Sequence, residues 1–494
     1  MFTLILGLLL TLIIFKLILI PLYNLSFYQK QGLPTTFFPV IGFHRALRKG
    51  FYKDGDFLKD FKDASKINPN QKGFASNFGS NIVIHLRDPN YIKEFLQNPS
   101  NYRKAKFLDI LRILVGNGLL FAEGDTWKSR RKIISASFHY DFLRTNTALI
   151  QETTREILDK IPSQEYKGYN LMDMIQRITG EVVGRLFFGG NLNRYDFGGE
   201  PLTLALANLI AALSERIPTL PYMILGNRAF SLPIQGWREM ARKVLEFRAQ
   251  CCKIIEDRRR DGQKYHDLLD SLLEYQKTSE EGGGDNLTDE DIVNEFVTFF
   301  LAGMDTTGHL VTMVLYNLTL VPEYLLKLKQ EREKIYKTNH PITAEALQGM
   351  DVLNSVLKET LRYSTPVPWV LTRESLTDHA IKDLQIKKGT LVKADFISNF
   401  YHANNFEEPE QFKPERWQDP NLKLDAFSFA PFSGGPRNCI GQHLAMLEAK
   451  IIVSEFLEKF NYQVSQPYQL KMALRFLYEP YKPIKIDLSP KITS

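Results

Sequence analysis

Cysteine is scarce in this chain. Cys251, Cys252 and Cys439 are the only three in 494 residues; two are adjacent and none belongs to a C-x-x-C pair. That argues against a disulfide framework and for a reducing, cytosol-facing compartment. It also excludes zinc, since no set of Cys and His stands at zinc-ligand spacing and His443 alone does not make a site. Charge of one sign is in short supply too. The net excess is +6, too weak for a nucleic-acid binder and suited instead to a negative membrane surface or an acidic protein partner. There is no internal repeat, no G-x-G-x-x-G and no flavin segment, so any electrons the chain uses must come from another protein. Size alone suggests two or three domains.

What is present begins with a long apolar run. Met1–Ile20 carries one charge, Lys16, and about 20 helical residues span the roughly 30 Å of a bilayer's hydrocarbon. A cleaved signal peptide would need a basic start and a small-residue cleavage site, and the run has neither. Basic residues follow it (Lys30, Arg45, Arg48, Lys49), which predicts a cytoplasmic chain behind a membrane anchor. Residues 21–50, with Gly32, Pro34, Pro39 and Gly42, read as a loop-like linker. Residues 51–494 follow as the main body.

Helical periodicity dominates that body, at Asp125–Phe138, Met174–Phe187, Gly236–Asp261, Thr288–Leu320, Leu353–Tyr363 and Gln442–Phe460. Strand-like pieces are short, at Ile82–Leu86 and Leu391–Phe396, so the fold is predicted mainly α with small sheets. Lys277–Asn286 reads as an exposed loop. Leu202–Phe230 is apolar but broken by Pro218 and Pro221; it reads as a buried helix pair or as a lid that also dips into a bilayer.

The strongest signal is Phe432-Ser433-Gly434-Gly435-Pro436-Arg437-Asn438-Cys439-Ile440-Gly441, followed at once by a helix. Glycines before the cysteine allow a tight loop whose backbone approaches a flat cofactor. N–H groups at the helix start can donate to sulfur, and the helix dipole favours its negative charge. A buried structural cysteine is the plain alternative.

This segment resembles the haem loop of the cytochrome P-450 family, F-x-x-G-x-R-x-C-x-G, at every fixed position, and four more segments agree in order and spacing. The resemblance covers the chain after the anchor and implies one large helical domain with small β-sheets. It implies that Cys439 is the ligand of a haem b iron, a thiolate whose electron push in these enzymes favours O–O cleavage. Phe432 belongs to the same cofactor-binding loop.

The helix segment Ala302-Gly303-Met304-Asp305-Thr306-Thr307 resembles the family's A-G-x-[DE]-T-[TS]. That implies a groove over the haem beginning at Ala302, with Thr306 holding oxygen and Asp305 relaying protons. Trp127 and Arg131 fit W-x-x-x-R, an i, i+4 pair able to donate to a propionate, and Arg373 and Arg437 are the other propionate candidates. Glu359 and Arg362 fit E-x-x-R; with Arg416 of the P-E-R segment they are implied to form a buried structural network. Phe299, Val370 and Leu371 are candidate substrate contacts, and Phe107–Phe121 resembles a mobile pocket loop.

The activity implied is insertion of one oxygen atom into an apolar or amphipathic small molecule of lipid, sterol or xenobiotic kind. Electrons would come from NADPH through a flavoprotein reductase, docked on a basic face with Lys128, Arg130, Arg131 and Lys132. The implied location is the endoplasmic reticulum membrane. A haem-thiolate isomerase would keep Cys439 without the acid–alcohol pair, and the presence of Asp305 and Thr306 argues against it. A haem sensor without turnover is the rival from another class.

Overall fold

The structure is a computed structural model that describes residues 7–8, 11–12, 14–37, 72–161, 166–190, 192, 195–217, 219–234, 236–282, 287–338 and 342–491. The helices that position the site are α1 (Ile20–Gln29), α2 (Gly124–Ser135), α3 (Leu171–Phe188), α4 (Leu202–Arg216), α5 (Trp237–Asp261), α6 (Asp289–Leu318), α7 (Asp351–Tyr363) and α8 (Gln442–Lys459). Each helix read from periodicity is there, within a few residues. The strand at Leu391 is shorter than expected: it stops at Ala394, and Phe396 starts a short helix.

α6 runs through the middle of the molecule along α3 and against α8 and α7. Its start is fixed by a capping box: the Asp291 N–H donates to Thr288 Oγ1 at 3.2 Å and the Thr288 N–H to Asp291 Oδ2 at 3.0 Å. Apolar residues cover nearly its whole circumference, as burial on all sides requires. Gly303 has a steric reason. A Cβ there would come within 2.6 Å of the Val183 side chain on α3, so the small residue lets two helices approach.

One mixed sheet lies beside the helices. Its strands are β1 (Thr35–Thr36), β2 (Gly73–Phe78), β3 (Asn81–Leu86), β4 (Tyr102–Lys104), β5 (Arg373–Ser375) and β6 (Leu391–Ala394), in the spatial order β1-β2-β3-β6-β5-β4. Pairing sets Lys104 opposite Arg373 and Lys393 opposite His85. A separate hairpin, β7 (Met472–Leu474) with β8 (Tyr478–Pro480), reaches toward α3 and α4.

Three expectations change. The expected linker opens as helix, since α1 continues to Gln29 and buries Leu25 and Tyr28, whose hydroxyl lies 2.7 Å from Thr390 Oγ1; the apolar ring and the partner hold this stretch to the sheet. Pro39 and Gly42 lie outside the described residues. Lys277–Gly282 extends a helix instead of forming a loop. Phe107–Phe121 contains a helix, Asp109–Val115, and Gly118 packs so closely on α6 that a Cβ would meet Thr298 Oγ1 at 2.3 Å.

Leu202–Phe230 is a buried helix, α4, then a short helix and a 3-10 turn. The Tyr222 hydroxyl donates to the Phe107 carbonyl at 3.1 Å and accepts the Ile110 N–H at 2.9 Å, while Ile224 stands 70% exposed. Among the described residues no helix is long and apolar enough to cross a membrane; much of Met1–Ile20 lies outside them.

Candidate active site

A cavity of about 320 Å3 separates α6 from the loop that precedes α8. Cys439, Phe432 and Arg437 line its floor; Phe299, Ala302 and Thr306 line its roof; Val370, Leu371 and Arg373 form a side wall. Sequence reasoning named all nine of these residues. Its lining is mostly apolar, as a hydrophobic cofactor and substrate require.

The loop is shaped by its own backbone. The Cys439 N–H donates to the Phe432 carbonyl at 2.9 Å, closing the turn. Gly435 has φ +69°, and a Cβ there would meet the Leu96 carbonyl oxygen at 2.4 Å. Burial pushes the Cys439 thiol up, while a hydrogen bond from the Gly441 backbone and the Arg131 charge pull it down. The sequence expectation of donors at the helix start is met. Cys439 is nevertheless open to the cavity it lines, as a ligand to a metal in that space must be, and a coordinating thiol loses its proton outright.

At one edge of the cavity three cations converge. Lys104 and Arg373 face each other across β4 and β5, and Arg437 joins them. Burial and mutual repulsion hold Arg373 down to about 10, and burial holds Arg437 down to about 10. Arg373 Nη1 is buried without a hydrogen-bond partner. Arg437 donates to the Ala122 carbonyl at 2.7 Å and lies 4.2 Å from the Trp127 ring centroid. The Glu123 carboxylate offsets these charges only in part, and an unpartnered guanidinium nitrogen among like charges fits a group that brings anionic oxygens. An iron porphyrin fits these demands: Cys439 would hold its iron, and Arg373, Arg437 and Lys104 would neutralise its carboxylates.

Lys104 escaped the sequence reading. Its strand alternates Arg103 outward with Lys104 inward, but only the pairing with Arg373 shows why that matters. Arg131 lines the cavity too, and its guanidinium is engaged with Asn438, donating to the backbone oxygen and to Oδ1 at 2.9 Å each. It braces the cysteine loop from α2.

Asp305 and Thr306 face different spaces. Thr306 lines the Cys439 cavity, its hydroxyl donating to the Ala302 carbonyl at 2.7 Å. Asp305 lines a second, more polar cavity of about 290 Å3, bounded by α3, α4 and β8. Consecutive residues on a helix point about 100° apart, so the pair straddles α6. Gln176 Nε2 donates to Asp305 Oδ1 at 2.7 Å. Burial, with the Glu479 charge behind it, raises the Asp305 carboxyl to about 7, a value suited to exchanging protons near neutrality.

Glu359 and Arg362 are fully buried and joined at 2.7 Å. Arg416 donates to Glu359 at 3.1 Å, the Lys413 N–H at 2.8 Å, and Trp417 Nε1 at 2.8 Å. Arg362 also donates to the carbonyls of Phe400, Pro409 and Gln411. The expected network is present, with Trp417 as a member that sequence reasoning missed although it follows Arg416 directly.

The expected basic face on α2 is only half there. Arg130 is buried and paired with Asp291 at 2.9 Å and Glu295 at 3.1 Å, and Arg131 is committed to Asn438. Lys128 and Lys132 remain on the outside.

Comparison with known proteins agrees with this geometry. The chain is 27% identical over 437 residues to cytochrome P450 4c21 of Blattella germanica, covering 84% of this chain and 85% of that protein. It is 26% identical over 484 residues to cytochrome P450 3A12 of Canis lupus familiaris, covering 95% and 93%. The crystal structure of the cytochrome P450DA heme domain shares the fold, with a TM-score of 0.77 at 22% identity over 93% of this chain and 98% of that one. The Cytochrome P450 family model matches residues 37–488. With Cys439 under an apolar cavity, Thr306 above it and nearly the full length matched, this chain belongs to the cytochrome P450 family and is a haem-dependent monooxygenase.

Proposed function

We propose that the protein holds haem b through the Cys439 sulfur and inserts one atom of molecular oxygen into a small apolar or amphipathic molecule, the other atom leaving as water. Electrons come from NADPH through a flavoprotein reductase. The observation that carries this reading is the apolar cavity with Cys439 below and Thr306 above. Bound haem supplies the redox chemistry. Arg373, Arg437 and Lys104 neutralise its propionates, with Trp127 beside them; Ala302, Phe299, Val370 and Leu371 shape the space for substrate. Asp305 takes protons from the polar cavity behind α6, and the Thr306 hydroxyl positions them on the other face. Lys128 and Lys132 offer the reductase a positive patch.

The reading also places Met1–Ile20 in the endoplasmic reticulum membrane with the catalytic domain on the cytoplasmic side. Apolar Phe15, Leu19 and Ile224 are exposed, which supports contact with lipid. Release of the full chain from microsomes by a high-salt wash alone would overturn this part.

The carbon monoxide difference spectrum of the reduced protein tests the chemistry. The unmutated protein, Cys251→Ser and Cys252→Ser are expected to give the strongly red-shifted band of a thiolate ligand, and Cys439→Ser to lose it. A red-shifted band in Cys439→Ser overturns the assignment.

A further inference from the structure

The stretch between the helix Asp109–Val115 and α2 supplies part of the wall of the haem-side cavity, through Leu119 and Leu120. Residues 116–123 are turn and loop. They lie flush on α6. Gly116 has φ +61°, and a Cβ there would come within 1.7 Å of Asn294 Oδ1; one on Gly118 would come within 2.6 Å of the Asn294 carbonyl oxygen. Charged side chains tie the stretch at two points. Arg248, from α5, donates to the Leu114 carbonyl at 2.7 Å and to Asn294 Oδ1 at 2.8 Å. Glu295, from α6, accepts the Leu119 N–H on Oε2 at 2.9 Å.

Glu295 is an unusual group for that task. It is fully buried, and its other oxygen accepts from Arg130 at 3.1 Å; Arg130 is buried too and also pairs with Asp291 at 2.9 Å. A buried ion pair adds little to stability, because desolvation of both charges offsets their attraction. What it provides is a firm, directional hold, since hydrogen bonds to charged groups are stronger than neutral ones. The backbone donor it holds belongs to a residue that faces the cavity. Thr298 and Phe299, one turn further along α6, line the same cavity. The tie therefore lies where roof and wall meet.

We propose that Glu295 is a positioning residue: by holding the Leu119 N–H it fixes Leu119 and Leu120 against the cavity and limits the size of the molecule that reaches Cys439. This names a determinant of substrate size for the monooxygenase proposed above and rests on that reading. The cavity, of about 320 Å3, must take a porphyrin before any substrate. A bulky ligand therefore enters only by displacing part of the lining. The roof is a helix buried on all sides, whereas the wall at Leu119 is a turn held to α6 by the bond to Glu295. Displacing the turn breaks that bond, and a bulky ligand binds more weakly by what the bond contributes.

The test is optical titration of the ferric, haem-loaded protein with imidazole and with 1-tritylimidazole, read as the spectral shift on nitrogen ligation. It is run above the value of about 7 to which burial raises Glu295, so that the carboxylate is charged. Glu295→Ala is expected to strengthen binding of the bulky ligand about tenfold, the scale of one hydrogen bond to a charged group, and to leave imidazole unchanged. Leu119 stands second in the turn that the Phe121 N–H closes on the Gly118 carbonyl at 2.8 Å, a position that accepts proline. Leu119→Pro removes the N–H and leaves the Glu295–Arg130 pair intact; Leu119→Ala, which keeps the N–H, is its reference. Relative to that reference the same gain for the bulky ligand is expected, and Glu295→Ala added to Leu119→Pro should give no more. Equal changes for both ligands, no gain in Leu119→Pro over Leu119→Ala, or gains that add in the double variant overturn the proposal. If Glu295→Ala does not fold, the proline and alanine variants of Leu119 decide. The carbon monoxide spectrum keeps the two readings apart. If the unmutated protein lacks the red-shifted band, the monooxygenase reading fails; with the band present, only the role of Glu295 is at stake.

Discussion

Glu359 and Arg362 are fully buried, and so nearly is Arg373, yet these neighbouring regions handle charge in opposite ways. Around Glu359 the protein completes the hydrogen bonding itself: three side chains and a backbone N–H converge on one carboxylate, and Arg362 spends its remaining donors on three carbonyls. Around Arg373 like charges crowd together, with Lys104 and Arg437 beside it, Glu123 offsetting them only in part and Nη1 unpartnered. A closed network of this kind fixes the chain between α7 and the cysteine loop. An open one costs stability until something anionic completes it. The contrast separates charges that belong to the fold from charges that await a ligand.

Breaking the closed network should have the largest effect. Arg362→Ala leaves the buried Glu359 carboxylate to Arg416, Trp417 and the Lys413 N–H and takes a donor from three carbonyls, and removal of one partner from a buried pair costs about 3–5 kcal/mol. Urea denaturation is expected to show a loss of that size, with little haem-loaded protein recovered from cells. A loss below about 1 kcal/mol would mean that the network behaves as a surface pair does, and the distinction drawn here would fail.

Arg373→Leu sharpens the comparison because its two effects should have opposite signs. Removing an unpartnered buried cation is expected to leave the haem-free protein as stable as before, or more so. Haem should nevertheless be lost on the order of tenfold faster, as follows from one missing charge-assisted hydrogen bond. Transfer of haem to a scavenging apoprotein measures the second effect and thermal denaturation of the haem-free chain the first. Haem loss at an unchanged rate would take Arg373 out of the propionate site.

Much of this was legible in the sequence because its residues are close along the chain. Cys439 with its glycines, Glu359 with Arg362, Trp127 with Arg131 and Asp305 with Thr306 are each set by spacing within a turn or two of helix. What was hidden depends on distant partners. Lys104 acquires meaning only when β4 pairs with β5. Arg130 looked like a surface charge until α6 brought Asp291 and Glu295 against it. Arg131 lines the cavity, and its bond to Asn438, distant along the chain, could not be read from W-x-x-x-R. The separate cavities behind and before α6 could not be read from a motif that treats Asp305 and Thr306 as one unit.

Thr306 extends the comparison to a group that the protein satisfies and yet presents to the cavity. Its hydroxyl already bonds Ala302, so Thr306→Ala should leave haem binding and denaturation unchanged within about 0.5 kcal/mol. Product formed per NADPH is expected to fall severalfold, with peroxide making up the difference. Unaltered coupling, measured as product and peroxide against NADPH consumed, would remove the hydroxyl from proton delivery.

Asp305 lies between the two extremes: buried, with a hydrogen bond from Gln176. Its carboxyl is raised to about 7 by burial and by Glu479, whereas in the unfolded chain an aspartate gives up its proton near pH 4. Between those values the folded state binds the extra proton, so stability falls as pH rises and levels off once pH passes about 7. The slope from one such group is at most about 1.4 kcal/mol per pH unit. Glu295 is also raised to about 7, and burial raises Glu448, so the pH curve of the unmutated protein alone decides nothing. Asp305→Asn keeps an acceptor for Gln176 and cannot titrate. The difference between the two curves therefore isolates Asp305. It should shift in favour of the variant from pH 5 toward pH 7, and hold steady above that range. A flat difference would mean that the rear cavity already solvates the carboxylate, and Asp305 would then belong with the charges that the protein satisfies by itself.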